Sequence, residues 1–327
     1  MQTISDFITH FSSASSHVAP DENGLVAVAY SGGADSTFLL HHCTRIWSER
    51  VIAWHINHHL QPAAADFEAH CQATCKTLNI PLFVKHVDAH PKKGQSPEDA
   101  ARLARYGAFL ALAQTPFNSK KVSSVLLAQH GDDQVETFLL ALSRGSGLAG
   151  LSAMPASWMR DGVQYHRPLL SLSAQDIRNW LGENQISYVT DPTNTDLNYT
   201  RNKIRHTLTE PLKAAFPHYL SSVSRTISHM AQANEVLLEI ALTDWNDCSI
   251  NHNLLNLKKT QALQLASPAR CANMLRYWLK HNHQTCASTA QLEELMRQIK
   301  KATTRGHRIH IKAGDGFIAR INDVIQW

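Results

Sequence analysis

Short apolar runs alternate with amphipathic stretches along the first half of the chain. The runs predict four strands, at Leu25–Tyr30, Val51–Asn57, Pro81–Val87 and Val122–Ala128. The stretches between and after them predict four helices, at Ser36–Trp47, Ala63–Leu78, Pro97–Ala113 and Asp133–Leu142. Repeated strand–helix units of this kind are typical of an α/β fold with a doubly wound parallel sheet. Ligands of such sheets bind at the carboxyl ends of the strands, so the turns after the first and fourth strands are predicted to carry the site.

The pattern changes at about residue 217. Long helical periodicities follow, at Tyr219–Asp244, Pro268–His281 and Ser288–Lys301, and then short alternating stretches at Arg308–Ile311 and Phe317–Ile321. We therefore expect a catalytic domain over residues 1–215. A smaller α-rich domain with a small terminal sheet is expected over residues 216–327.

Composition excludes several classes of protein. A length of 327 residues suggests about two domains, and 43% hydrophobic residues exclude general disorder. The longest clean apolar run is too short to span a membrane. No Lys or Arg precedes Arg45, so a secretory signal is not expected. Six sparse cysteines indicate reduced thiols in a cytoplasmic protein. Cys71 and Cys75 beside His70 could bind zinc, but without a second cysteine pair plain buried thiols are favoured.

Charge is distributed unevenly along the chain. Residues 1–220 carry 18 Lys and Arg against 19 Asp and Glu, whereas residues 221–327 carry 13 against 8. The net charge of +4 therefore comes from the last third of the chain. A basic rear domain indicates a polyanionic partner, and a solvated basic surface is the alternative.

The sequence Ser31-Gly-Gly-Ala-Asp-Ser36 directly follows the first predicted strand and opens the first helix. Its adjacent glycines allow a tight turn and close approach of a ligand to the backbone. Free amides and serine hydroxyls at a helix N-terminus favour an anion such as pyrophosphate, and Asp35 beside that anion fits a bridging Mg²⁺. The loop is neither a GxxxxGK[ST] loop nor a GxGxxG fingerprint. A plain glycine-rich turn with a serine cap is the alternative.

Acidic residues cluster after the fourth predicted strand. Asp132 and Asp133 are adjacent, so their side chains should diverge, whereas Glu136 lies one helical turn after Asp133 on the same face. A divided role fits this geometry: Asp132 would face a metal ion beside the bound anion, and Asp133 and Glu136 would bind a cationic group. A helix-capping arrangement is the alternative interpretation.

Basic residues recur at helical spacing in two places. Arg201 and Arg205 are four apart on a predicted helix, beside Asn202, and should share a face suited to phosphate or a nucleic-acid backbone. Arg102 and Arg105 are three apart on the third predicted helix and suggest a similar role. A solvated basic helix face is the alternative for each pair.

The order of these motifs resembles that of one enzyme family. The SGGxDS loop is similar to the PP-loop of the N-type ATP pyrophosphatases, which adenylylate a substrate oxygen, release pyrophosphate and let a nucleophile displace AMP. Further motifs narrow the resemblance to the tRNA(Ile)-lysidine synthase family, in order from Ala27 to about Pro211. They are H-x-N-H at 55–58, E-x-x-A-R-x-x-R-Y at 98–106, H-G-D-D-Q-V-E-T at 130–137, R-G-S-G at 144–147, D-P-x-N at 191–194 and Y-x-R-N-x-I-R at 199–205.

The resemblance implies an adenine nucleotide alpha-hydrolase-like fold and an ATP-dependent ligase. Such an enzyme joins free L-lysine to ring carbon 2 of the wobble cytidine in CAU-anticodon tRNA(Ile), through an adenylylated tRNA, with release of AMP and pyrophosphate. ATP and Mg²⁺ are the implied cofactors, and tRNA(Ile) and lysine the implied partners. A cytoplasmic location without membrane association is implied, and a homodimer is left open.

The resemblance also assigns roles to the matching positions. ATP would be bound by Ser31, Gly32, Gly33, Ala34, Asp35, Ser36 and His58. Asp35, Asp133 and Arg205 would be catalytic. Lysine would be bound by Asp133 and Glu136, and the metal ion by Asp35 and Asp132. Phosphate or tRNA would be contacted by Arg102, Arg105, Arg201, Asn202 and Arg205. The sequence departs from the family pattern at Gln129, where the first of two histidines is common.

Other functions are compatible with parts of the sequence. A thiolating PP-loop enzyme is disfavoured by the absence of a C-x-x-C pair, and an amidating synthetase by the basic last third and the segment at 201–205. A nucleotide-binding module without catalysis is disfavoured by the intact carboxylates. Four aromatic residues could stack on RNA bases, although a place in the core of the rear domain is favoured: Trp245, Tyr277, Trp278 and Trp327.

Overall fold

The computed structural model describes residues 24–58, 64–92, 95–191, 196–197, 200–251, 253–304 and 306–327. The chain divides into two compact units, Met1–Ser228 and His229–Trp327. Three residues of the family-like motifs, Pro192, Asn194 and Tyr199, lie outside the described residues. Within the described ranges, no helix is both long and apolar enough to cross a membrane.

A six-stranded sheet in the order β3-β2-β1-β4-β6-β5 forms the centre of the first unit. Its strands are β1 (Leu25–Ala29), β2 (Val51–Asn57), β3 (Leu82–His86), β4 (Val122–Leu126), β5 (Ser157–Arg160) and β6 (Val163–His166). All neighbouring strands are parallel except β5, which pairs antiparallel with β6 at the edge. The predicted parallel α/β fold is confirmed, and the β5–β6 hairpin was not predicted.

Helices connect these strands and cover both faces of the sheet. They are α1 (Ala34–Trp47), α2 (Ala64–Thr77), α3 (Pro97–Ala113), α4 (Gly131–Ser143), α5 (Leu148–Leu151) and α6 (Ala174–Glu183). Two short helices follow, α7 (Thr200–Ile204) and α8 (Glu210–Ala215), separated by a π-helical turn at Arg205–Thr209. The long helix α9 (Tyr219–Cys248) then runs through the division between the two units.

The strand β1 is buried from both sides. Val26 and Val28 pack into one apolar cluster with Phe38 of α1, while Ala27 packs into a second cluster with Phe109 of α3. This explains why β1 is a continuous apolar run rather than an alternating one. The loop that follows β1 is therefore attached to a strand that is buried on both faces.

The second unit contains the rest of α9, three further helices and a small antiparallel sheet. The helices are α10 (Leu257–Ala266), α11 (Pro268–His283) and α12 (Thr289–Lys301). The sheet has the order β7-β8-β11-β10-β9, with β7 (Ser249–Asn251), β8 (Leu254–Asn256), β9 (His310–Ala313), β10 (Gly316–Ile321) and β11 (Val324–Gln326). Trp278 is fully buried in its core, and Trp245 and Trp327 pack against that core. These three tryptophans therefore belong to the core of the second unit, as the sequence favoured. Tyr277 stacks on His281.

All six cysteines are free thiols, and only Cys286 is exposed. Cys71 and Cys75 lie in the core of the first unit, and burial raises the pKa of both thiols. Cys71 Sγ lies 3.4 Å from His55 Nδ1, which itself lies 3.0 Å from the carbonyl oxygen of Tyr30. The described residues include no group of three side chains able to hold a metal ion.

Candidate active site

A cavity of about 870 Å³ lies in the first unit, at the carboxyl ends of β1, β2 and β4. Its volume is within the usual range for small-molecule sites. Many of the predicted site residues line it: Ser31, Gly33, Ala34, Asp35, His58, Arg105, Asp132, Asp133, Glu136 and Arg205. The other predicted site residues do not line the cavity: Gly32, Ser36, Arg102, Arg201 and Asn202.

The glycine-rich loop is held by its own serine residues. Ser36 Oγ accepts a hydrogen bond from Ser31 N at 3.2 Å and donates one to the carbonyl oxygen of Gly33 at 3.1 Å. Gly32 has a φ of +85°, and a Cβ there would lie 3.2 Å from Cys71 Sγ. Only glycine adopts this conformation without strain. The turn leaves the first amides of α1, which lack helical acceptors, next to the cavity.

Helix α4 begins at the cavity under tight backbone restraint. Gly131 N donates to the carbonyl oxygen of Leu172 at 2.8 Å, and a Cβ on Gly131 would lie 2.9 Å from that oxygen. His130 N donates to Asp133 Oδ2 at 3.0 Å, so Asp133 caps the helix. The capping interpretation therefore describes part of the role of Asp133, and this cap fixes the carboxylate in place.

Asp132 is occupied by the chain itself. Its Oδ2 accepts a hydrogen bond from Ala174 N and its Oδ1 accepts one from the Tyr219 hydroxyl, both at 2.8 Å. Burial acts to raise the pKa of Asp132, but these two donors outweigh it and hold the pKa below its ordinary value. Asp132 thus joins the starts of α4, α6 and α9.

Asp133 and Glu136 both contact Arg205. Arg205 Nε donates to Glu136 Oε1 at 2.7 Å, and Arg205 Nη2 lies 3.5 Å from Asp133 Oδ1. The side chain of Glu136 is only 2% exposed. Burial raises its pKa, and the Arg205 guanidinium opposes that increase. The pair is therefore a cation-binding site that already holds a cation.

Asp35 supplies the carboxylate of the glycine-rich loop, and its side chain is 38% exposed. Its Oδ2 lies 3.7 Å from His130 Nε2, and it receives no hydrogen bond within the described part of the chain. Burial raises the pKa of Asp35, His130 lowers it, and the neighbouring Asp133 charge raises it further. A carboxylate in this situation fits a hard cation such as Mg²⁺, which prefers a few carboxylates together with phosphate oxygens and water.

The arginines of the segment at 201–205 contact different partners. Arg201 Nε lies 2.7 Å from Glu98 Oε1 at the start of α3, whereas Arg205 contacts α4. Arg201 lies in the α-helical turn Thr200–Ile204, and Arg205 is the first residue of the π-helical turn that follows, so the common face of the two arginines stays a prediction. The Asn202 side chain donates to the carbonyl oxygen of Asp196.

The other predicted pair of arginines also separates. Arg105 lines the cavity, whereas Arg102 points to solvent and pairs with Asp99. His58 lies on the same wall as Arg105, and its buried Nδ1 has no hydrogen-bond partner among the described residues. Burial, with the charge of Arg105, lowers the pKa of His58 to about 4. His58 is therefore neutral at physiological pH and able to hydrogen-bond a ligand.

Three residues that line the cavity were missed by the sequence reasoning: Arg178, His206 and Lys213. Tyr219, which donates to Asp132, was also missed. Arg178 lies on α6, which was not predicted. A signal for α6 was present, because Ser173 and Asp176 form a capping box at its start. Gln129, where the sequence departs from the family pattern, accepts a hydrogen bond from Arg167 Nε.

The anion loop lies at the point where the order of the parallel strands reverses, between β1 and β4, and acidic side chains face it across the cavity. This fold and loop define a PP-loop nucleotide-binding domain. The profile of the PP-loop domain family matches residues 7–212, and that of the TilS substrate binding domain matches residues 259–322.

Curated relatives define the family more closely. A tRNA(Ile)-lysidine synthase from Polaromonas naphthalenivorans is 50% identical over 296 residues, which cover 90% of this chain and 87% of that protein. Those from Pseudomonas aeruginosa and Burkholderia pseudomallei are 38% and 34% identical, covering 79% and 94% of this chain. The chain belongs to the tRNA(Ile)-lysidine synthase family. It spans 59% and 62% of the length of the latter two relatives.

Among solved structures, a U34-tRNA thiolase from Methanococcus maripaludis has a similar fold, with a TM-score of 0.57. The match covers 70% of this chain and 80% of the thiolase at 15% sequence identity. At this identity the similarity supports the fold alone.

Proposed function

We propose that this chain uses ATP to join free L-lysine to ring carbon 2 of the wobble cytidine of CAU-anticodon tRNA(Ile), forming lysidine. The main support is that one cavity holds two sites for opposite charges, an anion-binding loop at 31–36 and the carboxylates of the half-buried Asp133 and the buried Glu136. ATP needs the first site, and the ammonium group of lysine needs the second. The names of the curated relatives support the same reaction.

In the first step, the carbonyl oxygen at carbon 2 of the cytosine attacks the α-phosphorus of ATP. The bond from that phosphorus to the bridging oxygen breaks, and pyrophosphate leaves with the electron pair. Loop amides at the start of α1 would hold the phosphates, and Arg205 would neutralise charge on them. Asp35 would hold Mg²⁺, and the ion would supply charge neutralisation for the leaving pyrophosphate. Both oxygens of Asp132 already accept hydrogen bonds from the chain, so Asp132 would join the metal site only through a remaining lone pair.

In the second step, the ε-amine of lysine attacks carbon 2, the carbon–oxygen bond breaks, and AMP leaves with the bonding electrons. The ε-ammonium has an unperturbed pKa of about 10.4, so a base must first remove a proton. Asp133 is the candidate base, because its carboxylate is fixed by the α4 cap beside Glu136. The target base must leave its stack to reach the cavity.

The second unit would bind the tRNA. Its match to the substrate binding domain family and the excess of basic residues in the last third of the chain support this role. The domain boundary at 215/216 stays a prediction. Tyr219, beyond it, hydrogen-bonds Asp132 within the first unit, so a shortened chain should end at residue 228.

The test combines pyrophosphate release from ATP with mass spectrometry of tRNA nucleosides, with and without lysine. Full activity requires tRNA and lysine and yields lysidine. Glu136→Gln should raise the KM for lysine by at least about 10-fold while the KM for ATP changes little, because it removes the buried charge without changing size. Glu210→Gln is the matched control, since Glu210 lines the same cavity but pairs with Lys213 at the surface. Equal effects of both variants on the lysine KM, or no lysidine, would contradict the proposal.

A further inference from the structure

The carboxylates proposed to bind lysine are closed by Arg205. Its Nε donates to Glu136 Oε1 at 2.7 Å, and its Nη2 lies 3.5 Å from Asp133 Oδ1. The second oxygen, Glu136 Oε2, is buried and has no hydrogen-bond partner among the described residues. Neither oxygen of Glu136 is therefore open to an arriving ammonium group in this arrangement.

The two partners of this ion pair differ in exposure. The Arg205 side chain is 39% exposed, whereas that of Glu136 is 2% exposed. A buried carboxylate that loses its hydrogen-bonded cation is strongly destabilised, so Arg205 leaves Glu136 only if another cation takes its place. Because the Arg205 side chain is far more exposed than that of Glu136, Arg205 is the member of the pair that can move.

Arg205 also lies within electrostatic reach of the anion loop. Its charge interacts with that of Asp35, at the start of α1, as well as with Asp133 and Glu136. A guanidinium forms strong bidentate hydrogen bonds with phosphate. Since Arg205 begins the π-helical turn at Arg205–Thr209, its backbone already departs from regular α-helical spacing.

We infer that Arg205 is a positioning residue that couples the two substrates: nucleotide phosphates in the loop draw its guanidinium away from Glu136, and this opens the carboxylates to the ε-ammonium of lysine. ATP then binds before lysine, because without nucleotide the carboxylates of Asp133 and Glu136 are still occupied by Arg205. This inference rests on the proposed function, since it takes lysine as the cation that replaces Arg205.

The experiment measures the Kd of lysine by calorimetry in the full chain, with and without saturating α,β-methylene ATP and Mg²⁺. In the unmodified protein the nucleotide should tighten lysine binding by at least about 10-fold, as expected when a site is mostly closed in its absence. Arg205→Ala should bind lysine equally with and without nucleotide. Arg160→Ala is the matched control, because Arg160 pairs with Asp161 on the β5–β6 hairpin outside the cavity, and it should keep the full ratio.

If Arg205 had only a structural role, Arg205→Ala would lower stability but leave unchanged the ratio of the lysine Kd values without and with nucleotide. The same ratio in Arg205→Ala as in the unmodified protein therefore overturns the inference. If Arg205→Ala does not fold, Arg205→Lys keeps a charge but loses the second donor, and its ratio should fall between the two. Lysine that binds the unmodified protein equally with and without nucleotide also overturns the coupling, while leaving the proposed function intact. Lysine that binds in neither state, even with tRNA added, overturns both.

Discussion

Replacing the two loop glycines one at a time separates folding from ligand binding. Gly32 has a φ of +85°, and an alanine there would cost about 1–2 kcal/mol for the left-handed backbone. Its Cβ would also lie 3.2 Å from Cys71 Sγ and 3.4 Å from His70 Cδ2, so these neighbours would have to shift. Together these effects should destabilise the protein by about 2 kcal/mol, which corresponds to a fall of roughly 4–8 °C in Tm for a unit of this size.

Gly33 provides the matched comparison. Its φ is −73°, and a Cβ there meets Ser31 Oγ at 3.5 Å and the carbonyl oxygen of Val189 at 4.0 Å, both ordinary contacts. Gly33→Ala should therefore stay within about 1 kcal/mol of the unmodified stability. Because Gly33 lines the cavity, however, the added methyl group should occupy space needed by the phosphates and weaken ATP binding by at least about 10-fold.

Calorimetry of unfolding without ligand and titration with ATP measure the two effects independently. A Gly32→Ala protein with an unchanged Tm would refute the strain argument. A Gly33→Ala protein that binds ATP as tightly as the unmodified chain would refute the placement of phosphates against this loop.

Other substitutions test the contacts around Asp132 and the start of α4. Tyr219→Phe removes a hydrogen bond to a charged group and should cost about 1.5–3 kcal/mol. Because the pKa of Asp132 is below its ordinary value of about 4, the carboxylate contributes stability above that pH, and this contribution is lost as the pH falls through the folded-state pKa. As the pH is lowered from about 7 to about 3, the free energy of unfolding should therefore fall less in Tyr219→Phe than in the unmodified protein. Parallel profiles of this free energy against pH would contradict the prediction. Gly131→Ala should cost about 1–3 kcal/mol, because its Cβ would lie 2.9 Å from the carbonyl oxygen of Leu172. Gly107→Ala in α3, where a Cβ meets nothing within 4 Å, should instead stabilise by up to about 1 kcal/mol, and equal effects of the two changes would contradict the packing argument.

The parts of the fold that sequence could predict are those specified by neighbouring residues. Strand β2 and helix α3 have the predicted bounds, because burial on both faces and the cap at Ser96 leave local signals. The β5–β6 hairpin was missed although its turn, Asp161-Gly162, is a typical hairpin sequence with both residues at positive φ. Its four-residue strands were too short to show a clear alternation.

The site was less predictable, because its contacts join distant parts of the chain. Local spacing indicated that Asp133 and Glu136 share a face, and both contact Arg205. Spacing could not indicate that Tyr219 bonds Asp132 across 87 positions, or that Arg201 pairs with Glu98 while Arg205 pairs with Glu136. Such pairings depend on tertiary packing, which a local periodicity does not contain.

The distribution of thiols has a practical consequence for labelling. Maleimides and similar reagents attack the thiolate, and burial raises the pKa of all five buried cysteines, whereas Cys286 is exposed between α11 and α12. The native protein should therefore accept a single fluorophore, at Cys286 in the second unit, without any mutagenesis. A dye at this position reports on that unit when RNA is added. The five buried thiols become reactive only when the core unfolds, so the extent of labelling beyond Cys286 also measures unfolding.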